Sequence, residues 1–136
     1  MKVHNCAEGE YPKAFEVSDQ FKFSKYGFEC GDGWYDIMEP IVRYIHEYNS
    51  KVEETNPNAD FFEYFIIRQV KEKFATLRFY VNQTDHVLDR LITLAEEKSS
   101  TTCETCGKEG EIRGKYWIYT ACEDHTKDND KQSIYN

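Results

Sequence analysis

The arrangement Cys103-Glu104-Thr105-Cys106-Gly107, followed after the segment from Gly107 to Ala121 by Cys122-Glu123-Asp124-His125, limits what this chain can fold into more than any other stretch. A tetrahedral zinc ion needs four soft or borderline ligands. Two close pairs joined by a short connection supply them, because each pair fills two adjacent corners and the connection folds back to unite the pairs. Gly107 directly after the second cysteine suits a knuckle whose backbone turns through positive φ, so that nearby amides point at the thiolate sulfurs. Cys103, Cys106, Cys122 and His125 are therefore the expected ligands, with zinc as the expected cofactor. All four corners are protein side chains, which leaves no position for an activated water, so the ion is expected to hold the fold rather than to hydrolyse a substrate. Iron is the alternative metal, and the mixed sulfur and imidazole donors favour zinc over it.

The 136 residues suffice for one domain with its own core, helped by a metal staple. Seventeen basic against twenty-five acidic residues leave a net charge of −8. That charge opposes a phosphate backbone, so broad nucleic-acid binding is not expected and zinc here does not imply DNA. Ten Tyr, nine Phe and two Trp are read as the filling of a small core. Cys6 and Cys30 stand outside the metal pattern, far apart, and are read as reduced thiols. The first twenty residues carry charges and no apolar signal region, and no window approaches a membrane-spanning length. The sequence thus predicts neither export nor membrane insertion, and a cytoplasmic, reducing location. On that reading the glycosylation match at Asn82-Gln83-Thr84 is chance.

Residues Met1 to Tyr26 show no sustained period and are expected to wrap the core, with a short edge strand around Phe21, Phe23 and Lys25. The Gly-rich turn Gly27 to Gly33 feeds a helix reaching about Glu54, with Asp32 as its expected N-cap and Ile37, Ile41, Val42, Ile45 and Tyr48 on one face. Pro40 implies either a separate first turn or a kink. Phe61 to Val70 and Leu77 to Val81 read as two strands of a hairpin. Thr84 is placed to cap a second helix with Val87, Leu88, Leu91, Ile92 and Ala95 as its apolar stripe. Glu111-Ile112-Arg113 and Tyr116-Trp117-Ile118-Tyr119, around Gly114, suggest a small hairpin inside the zinc module. The expected fold class is α+β: a small antiparallel sheet, two packed helices and a C-terminal zinc knuckle. The expected organisation is a core domain over residues 1–100, a zinc-binding module over 101–126 and a disordered polar tail over 127–136.

Phe28-Glu29-Cys30-Gly31-Asp32-Gly33-Trp34, then Gln69-Val70-Lys71-Glu72-Lys73-Phe74 with Leu77-Arg78-Phe79-Tyr80-Val81, then Cys103-x-x-Cys106-Gly107, together resemble a family of small phage, prophage and bacterial proteins. The resemblance runs from about Tyr11 to His125. Members of that family usually carry glycine at one or both positions corresponding to Ala75 and Thr76, a departure that bears on whether the tight turn is kept. The resemblance brings no assigned activity, and implies a phage-encoded protein acting in the cytosol of a bacterial host.

Four groups of side chains invite a functional reading. Arg68, Lys71, Lys73 and Arg78 form a basic island in an acidic chain, suited to an acidic partner surface or a phosphate-bearing nucleotide. Glu123, Asp124, Asp128 and Asp130, beside Glu96 and Glu97, form an opposite pole. Cys30 becomes a nucleophile only if His4, His46 or His86 approaches it, and Glu29, Asp32 and Asp36 become an acid/base or magnesium site only if they converge. Asp60 with Gln69-Val70-Lys71 weakly matches the carboxylate and lysine pattern of metal-dependent nucleases. The leading expectation is a non-catalytic binding protein that inhibits or modulates a host factor through protein contact. A metal-dependent nuclease and a sponge for a nucleotide signal are the alternatives.

Overall fold

The computed structural model describes residues 7–20 and 22–133, so the expectations for His4, Cys6 and Phe21 lie outside the described residues. The architecture is α+β. Helices α1 (Pro12–Asp19) and α2 (Phe23–Tyr26) precede strand β1 (Phe28–Glu29) and the long helix α3 (Tyr35–Thr55). Strands β2 (Ile67–Lys73) and β3 (Thr76–Val81) follow, then helix α4 (His86–Ser99), the strand pair β4 (Glu111–Arg113) and β5 (Tyr119–Ala121), and helix α5 (Asp128–Ser133). No helix among the described residues is long and apolar enough to cross a membrane.

The sheet order is β1-β2-β3. β2 and β3 form an antiparallel hairpin as expected, but β2 starts at Ile67 rather than Phe61, because Asp60 caps Phe61–Glu63 into a 3-10 turn, and it runs on through Lys73. β1 runs parallel to β2, pairing Phe28 with Val70 and Glu29 with Lys71. A parallel neighbour needs a long crossover, and α3 provides it. The edge strand therefore lies later than Phe21 to Lys25, a stretch whose residues from Phe23 are helical.

Alternation decides the faces of the sheet. Ile67, Val70, Leu77 and Phe79 are buried in the core. They meet Met38, Ile41, Val42 and Ile45, which recur along α3 at helical spacing, and Leu88, Ile92 and Ala95 of α4. The N-terminal segment belongs to this core and does not merely wrap it: Ala14, Phe15, Ser18 and Phe23 are all buried. The rings of Phe15, Phe23 and Phe28 interlock with centroids 5.7 to 6.2 Å apart. The missing period reflects two short helices, neither long enough to display one.

Polar atoms inside the core are matched to backbone. Asn49 donates to the Phe65 carbonyl at 2.9 Å and accepts from the Phe65 amide at 2.9 Å, acting as a substitute strand for that residue. Ser18 Oγ receives the Ile67 amide, and Ser99 Oγ and Glu96 receive the outward amides of Leu77 and Phe79. The edge of β3 is thereby closed to a further strand. Glu96, assigned on sequence to an acidic pole, spends its carboxylate here.

Helix starts differ from expectation in an informative way. A separate 3-10 turn, Asp32–Trp34, precedes α3, so Pro40 falls in the second turn of the α-helix. Asp32 makes no side-chain cap. Asp85, rather than Thr84, caps α4 by accepting from the Leu88 amide at 2.7 Å, and its carboxylate also receives the Tyr44 hydroxyl. A charged acceptor at a helix N-terminus interacts with the dipole as well as with the amide.

The turn between β2 and β3 keeps its tightness without glycine. Phe74 (φ 51°) and Ala75 (φ 71°) are both left-handed, the conformation of a two-residue hairpin loop. The Ala75 amide donates to Glu72 and its carbonyl accepts from Thr120 Oγ1 at 2.6 Å, which holds the strained pair in place. In the C-terminal Cys/His module β5 begins only at Tyr119, so Tyr116, Trp117 and Ile118 stand in the connection and not in a strand. Gly114 (φ +100°) causes this, since its turn brings the chain against the Trp117 carbonyl. Of the stretch 127–136 expected to be a disordered tail, Asp128–Ser133 is helical and 134–136 lie outside the described residues; the Tyr119 hydroxyl donates to Asp130 and accepts from the Lys127 amide. One phenol thus organises a segment whose composition alone gave no reason to fold.

Candidate metal centre

The connection Gly107 to Ala121 returns the chain through the β4–β5 hairpin and places the second ligand pair against the first. Gly107 has φ +83°, its amide donates to the Cys103 carbonyl at 2.9 Å, and the Cys103 amide donates to Lys108 at 2.7 Å, the expected knuckle. Cys122 opens a 3-10 turn, Glu123–His125, which swings His125 back over it.

The sulfurs of Cys103, Cys106 and Cys122 and a ring nitrogen of His125 all lie within 4.8 Å of one another. Individual separations are 3.6 Å between Cys106 and Cys122 Sγ, 3.7 Å from Cys103 Sγ to His125 Nδ1 and 3.2 Å from Cys122 Sγ to the same nitrogen. A tetrahedron with sulfur about 2.3 Å and nitrogen about 2.0 Å from its centre has edges of about 3.8 and about 3.5 Å. The four side chains can therefore bind a metal ion, and a zinc-sized centre fits between them. Burial pushes the Cys103 thiol up, but the amides of Cys122, Cys106 and Thr105 aimed at its sulfur outweigh that and bring it down to about 6. The thiolate is the form that binds metal.

What the sequence did not reveal is how this knuckle joins the core. The Gly31 amide donates to the Glu104 carboxylate at 2.8 Å, the Gly33 amide donates to the Glu104 carbonyl at 2.8 Å, and the Trp34 indole donates to the Thr102 carbonyl at 2.8 Å. Glu104, between the first two ligands, so caps the turn that starts α3, the role expected of Asp32. A β-carbon on Gly33 would overlap the Cys103 carbonyl and come within 2.6 Å of the Gly107 nitrogen. Both glycines of Gly31-Asp32-Gly33 are there for close approach of two backbones. Thr120 of β5 adds a second junction through its bond to Ala75.

The other candidates fare differently. Among the described residues, Cys103, Cys106, Cys122 and His125 are the one group of three or more acidic, cysteine or histidine side chains close enough to share an ion, so Glu29, Asp32 and Asp36 do not assemble into one. Glu29 instead accepts from Gln69 at 3.1 Å. Asp60 caps the turn Phe61–Glu63 by accepting from the Phe62 amide, outside the sheet that carries Gln69 and Lys71. Burial, reinforced by the carboxylates of Glu104, Asp32 and Glu29, pushes the Cys30 thiol up to about 12, the reverse of what a nucleophile needs. His46 is occupied on another face, its Nδ1 accepting from the Lys13 amide.

The basic island does assemble. Lys71 and Arg78 are direct partners across the hairpin, on the sheet face opposite Val70 and Phe79. Lys73 follows on the same face and Arg68 projects from the bulge between Ile67 and Gln69. None of the four makes an ion pair among the described residues. Arg78 Nε is buried and without a hydrogen-bond partner. An open cavity of about 680 Å³ lies beside them, lined by Tyr26, Arg68, Gln69, Tyr80 and Val81.

Comparison of the chain with protein-family models, with curated proteins and with solved structures finds no match.

Proposed function

We propose that this chain is a non-catalytic, zinc-stabilised binding protein that engages an acidic protein surface through the open face of its sheet. The observation that carries the reading is the Lys71–Arg78 pair. Like charges set directly opposite each other on neighbouring strands repel, and neither cation makes an ion pair among the described residues; Glu29, the neighbour of Lys71 on β1, accepts from Gln69 instead. An incoming anionic group supplies that relief. Zinc is the metal favoured by three thiolates and one imidazole, and with every corner taken by protein its role is structural. On the resemblance to phage and prophage proteins, the partner is a cytosolic protein of the bacterial host, and binding inhibits or modulates it.

The test compares the native chain with Lys71→Glu/Arg78→Glu in pull-downs from bacterial lysate, followed by mass spectrometry. A stoichiometric host protein retained by the native chain and lost by the variant, with zinc content and melting temperature unchanged, supports the reading. A co-purifying nucleotide replaces it with the sponge. Metal-dependent DNA cleavage that is lost on Lys71→Ala replaces it with the nuclease.

A further inference from the structure

At the turn end of the sheet, the basic face runs into a groove of a different character. The β2–β3 turn and the β4–β5 connection face each other across a cavity of about 320 Å³ lined by Glu72, Lys73, Phe74, Tyr116, Trp117 and Ile118. Its aromatic side chains are held out in solvent: Phe74 is 68% exposed, Trp117 72% and Tyr116 94%. Lys73 Nζ lies 5.7 Å from the Phe74 ring centroid and Lys115 Nζ 5.9 Å from that of Tyr116. An exposed aromatic cluster rimmed by charge marks an interaction site, and Tyr and Trp in a pocket are the residues that most often dominate binding energy.

The backbone points the same way. Phe74 adopts the left-handed conformation, where a side chain with a β-carbon is disfavoured and glycine is not. Its ring is not used to fill the core, so the fold bears that strain without gaining burial from the ring.

We infer that this groove takes one apolar anchor side chain of an acidic partner segment, whose carboxylates lie along Lys73, Lys115 and the Lys71–Arg78 row. The inference rests on the binding-protein reading and gives that surface its anchor point. Charge selects the occupant. Lys73 belongs to both the groove and the basic face, and the carboxylate of Glu72 in the groove wall already accepts from the Ala75 amide. A long polyanion or an anionic bilayer would also face the remainder of a chain with net charge −8, whereas a short acidic segment meets only the local cations. The groove is concave and, at about 320 Å³, has ample room for a large apolar side chain.

The two tryptophans make this measurable. Trp34 is fully buried and Trp117 is exposed, so iodide quenching reports on Trp117. The probe is a synthetic peptide of glutamates flanking a single phenylalanine, with two controls: the same peptide with alanine at the centre, and the same phenylalanine flanked by lysines. Addition of the acidic phenylalanine peptide is expected to protect Trp117, with affinity at least about tenfold weaker for either control. Tyr116→Ala and Phe74→Gly are expected to weaken it by about tenfold or more. Phe74→Gly relieves the turn, so its melting temperature is expected to hold or rise while binding falls, a combination no purely structural role of the ring produces. Equal binding of the phenylalanine and alanine peptides, abolished by Lys71→Glu/Arg78→Glu, overturns the anchor groove and leaves the basic face standing. Protection of Trp117 by anionic vesicles or single-stranded DNA in preference to the peptide overturns it in favour of those partners. No protection at about millimolar peptide overturns it outright.

Discussion

The amide of Gly33 donates to the carbonyl of Glu104 at 2.8 Å, so the residue before Trp34 and the residue after the first metal ligand share one hydrogen bond. The metal knuckle and the start of the longest helix are consequently one packed unit. Gly33→Ala is expected to destabilise the protein by about 1–3 kcal/mol, the usual range for overpacking a tight contact. Bound metal should also transfer faster to a chromophoric chelator, because the β-carbon pushes on Cys103 and Gly107. A melting curve and a release trace check both halves. An alanine variant unchanged in either would show that the two backbones are not held together.

About one zinc per chain is expected by metal analysis, and Cys106→Ser should lose it. The Trp34 indole bonds the Thr102 carbonyl, next to Cys103, so chelation should change the emission of a tryptophan that touches no metal. Far-ultraviolet dichroism should change little, since the helices pack on the sheet and not on the ion. Full unfolding on chelation would mean that metal energy is folding energy for the whole chain rather than for the C-terminal module.

Leu88, Leu91 and Phe79 test the core assignment. Leu88 and Phe79 are buried, whereas Leu91 is only partly covered at the margin. Leu88→Ala and Phe79→Ala are each expected to cost about 2–5 kcal/mol, and Leu91→Ala clearly less. Denaturant unfolding orders the three. The stripe read from sequence spacing grouped Leu88 with Leu91, and only packing separates them.

Tyr44 and Asp85 should leave opposite marks on stability against pH. Burial, then the hydrogen bond to Asp85, pushes the Tyr44 phenol from 10.0 up to about 12. Its contribution is complete below pH 10 and is lost as pH rises through about 12. For Asp85 burial acts upward, but the Leu88 amide and the Tyr44 hydroxyl outweigh it and hold the carboxyl below 3.8. That contribution is present above the ordinary carboxylate value and is lost as pH falls through the depressed one. Tyr44→Phe should reduce the alkaline arm of a Tm–pH profile, leaving the parts due to Tyr11, which the bond to Glu39 also raises to about 12, to the buried Cys30 thiol and to Tyr119. Asp85→Asn, which still caps the helix, should flatten the acid arm, and Asp85→Ala should cost about 1 kcal/mol at neutral pH.

The ligand set was legible because four residues at fixed spacing carry chemistry that few other arrangements need. Strand β3 and the two long helices were legible because their periods are sustained, whereas the aromatic run from Phe61 read as strand and is partly a 3-10 turn. The rest depended on contacts between distant residues. Nothing local distinguishes Glu104 from any knuckle glutamate, yet it does the capping that Asp32, a better local match, was expected to do. Gly31 and Gly33 were visible as a turn, but not as the place where the turn meets Cys103. Phe74 and Ala75 carry no turn signature at all, and their conformation is imposed by Glu72 and Thr120. The pairing of Lys71 with Arg78 follows from a register set by that turn, so the sequence placed the cations together but not their order across the strands.

The bond from Gly31 to Glu104 spans 73 positions of the chain. During translation at about 5–20 residues per second, the Gly31 to Trp34 turn waits roughly 4–15 s for its cap to be made. Until then the head of the long helix has exposed amides and an unmatched indole. Loading of the ion and sealing of that helix are therefore successive stages of one late event. A cell poor in the metal that this cluster takes should accumulate the chain with its first half collapsed and its helix start open, a state that a protease can recognise.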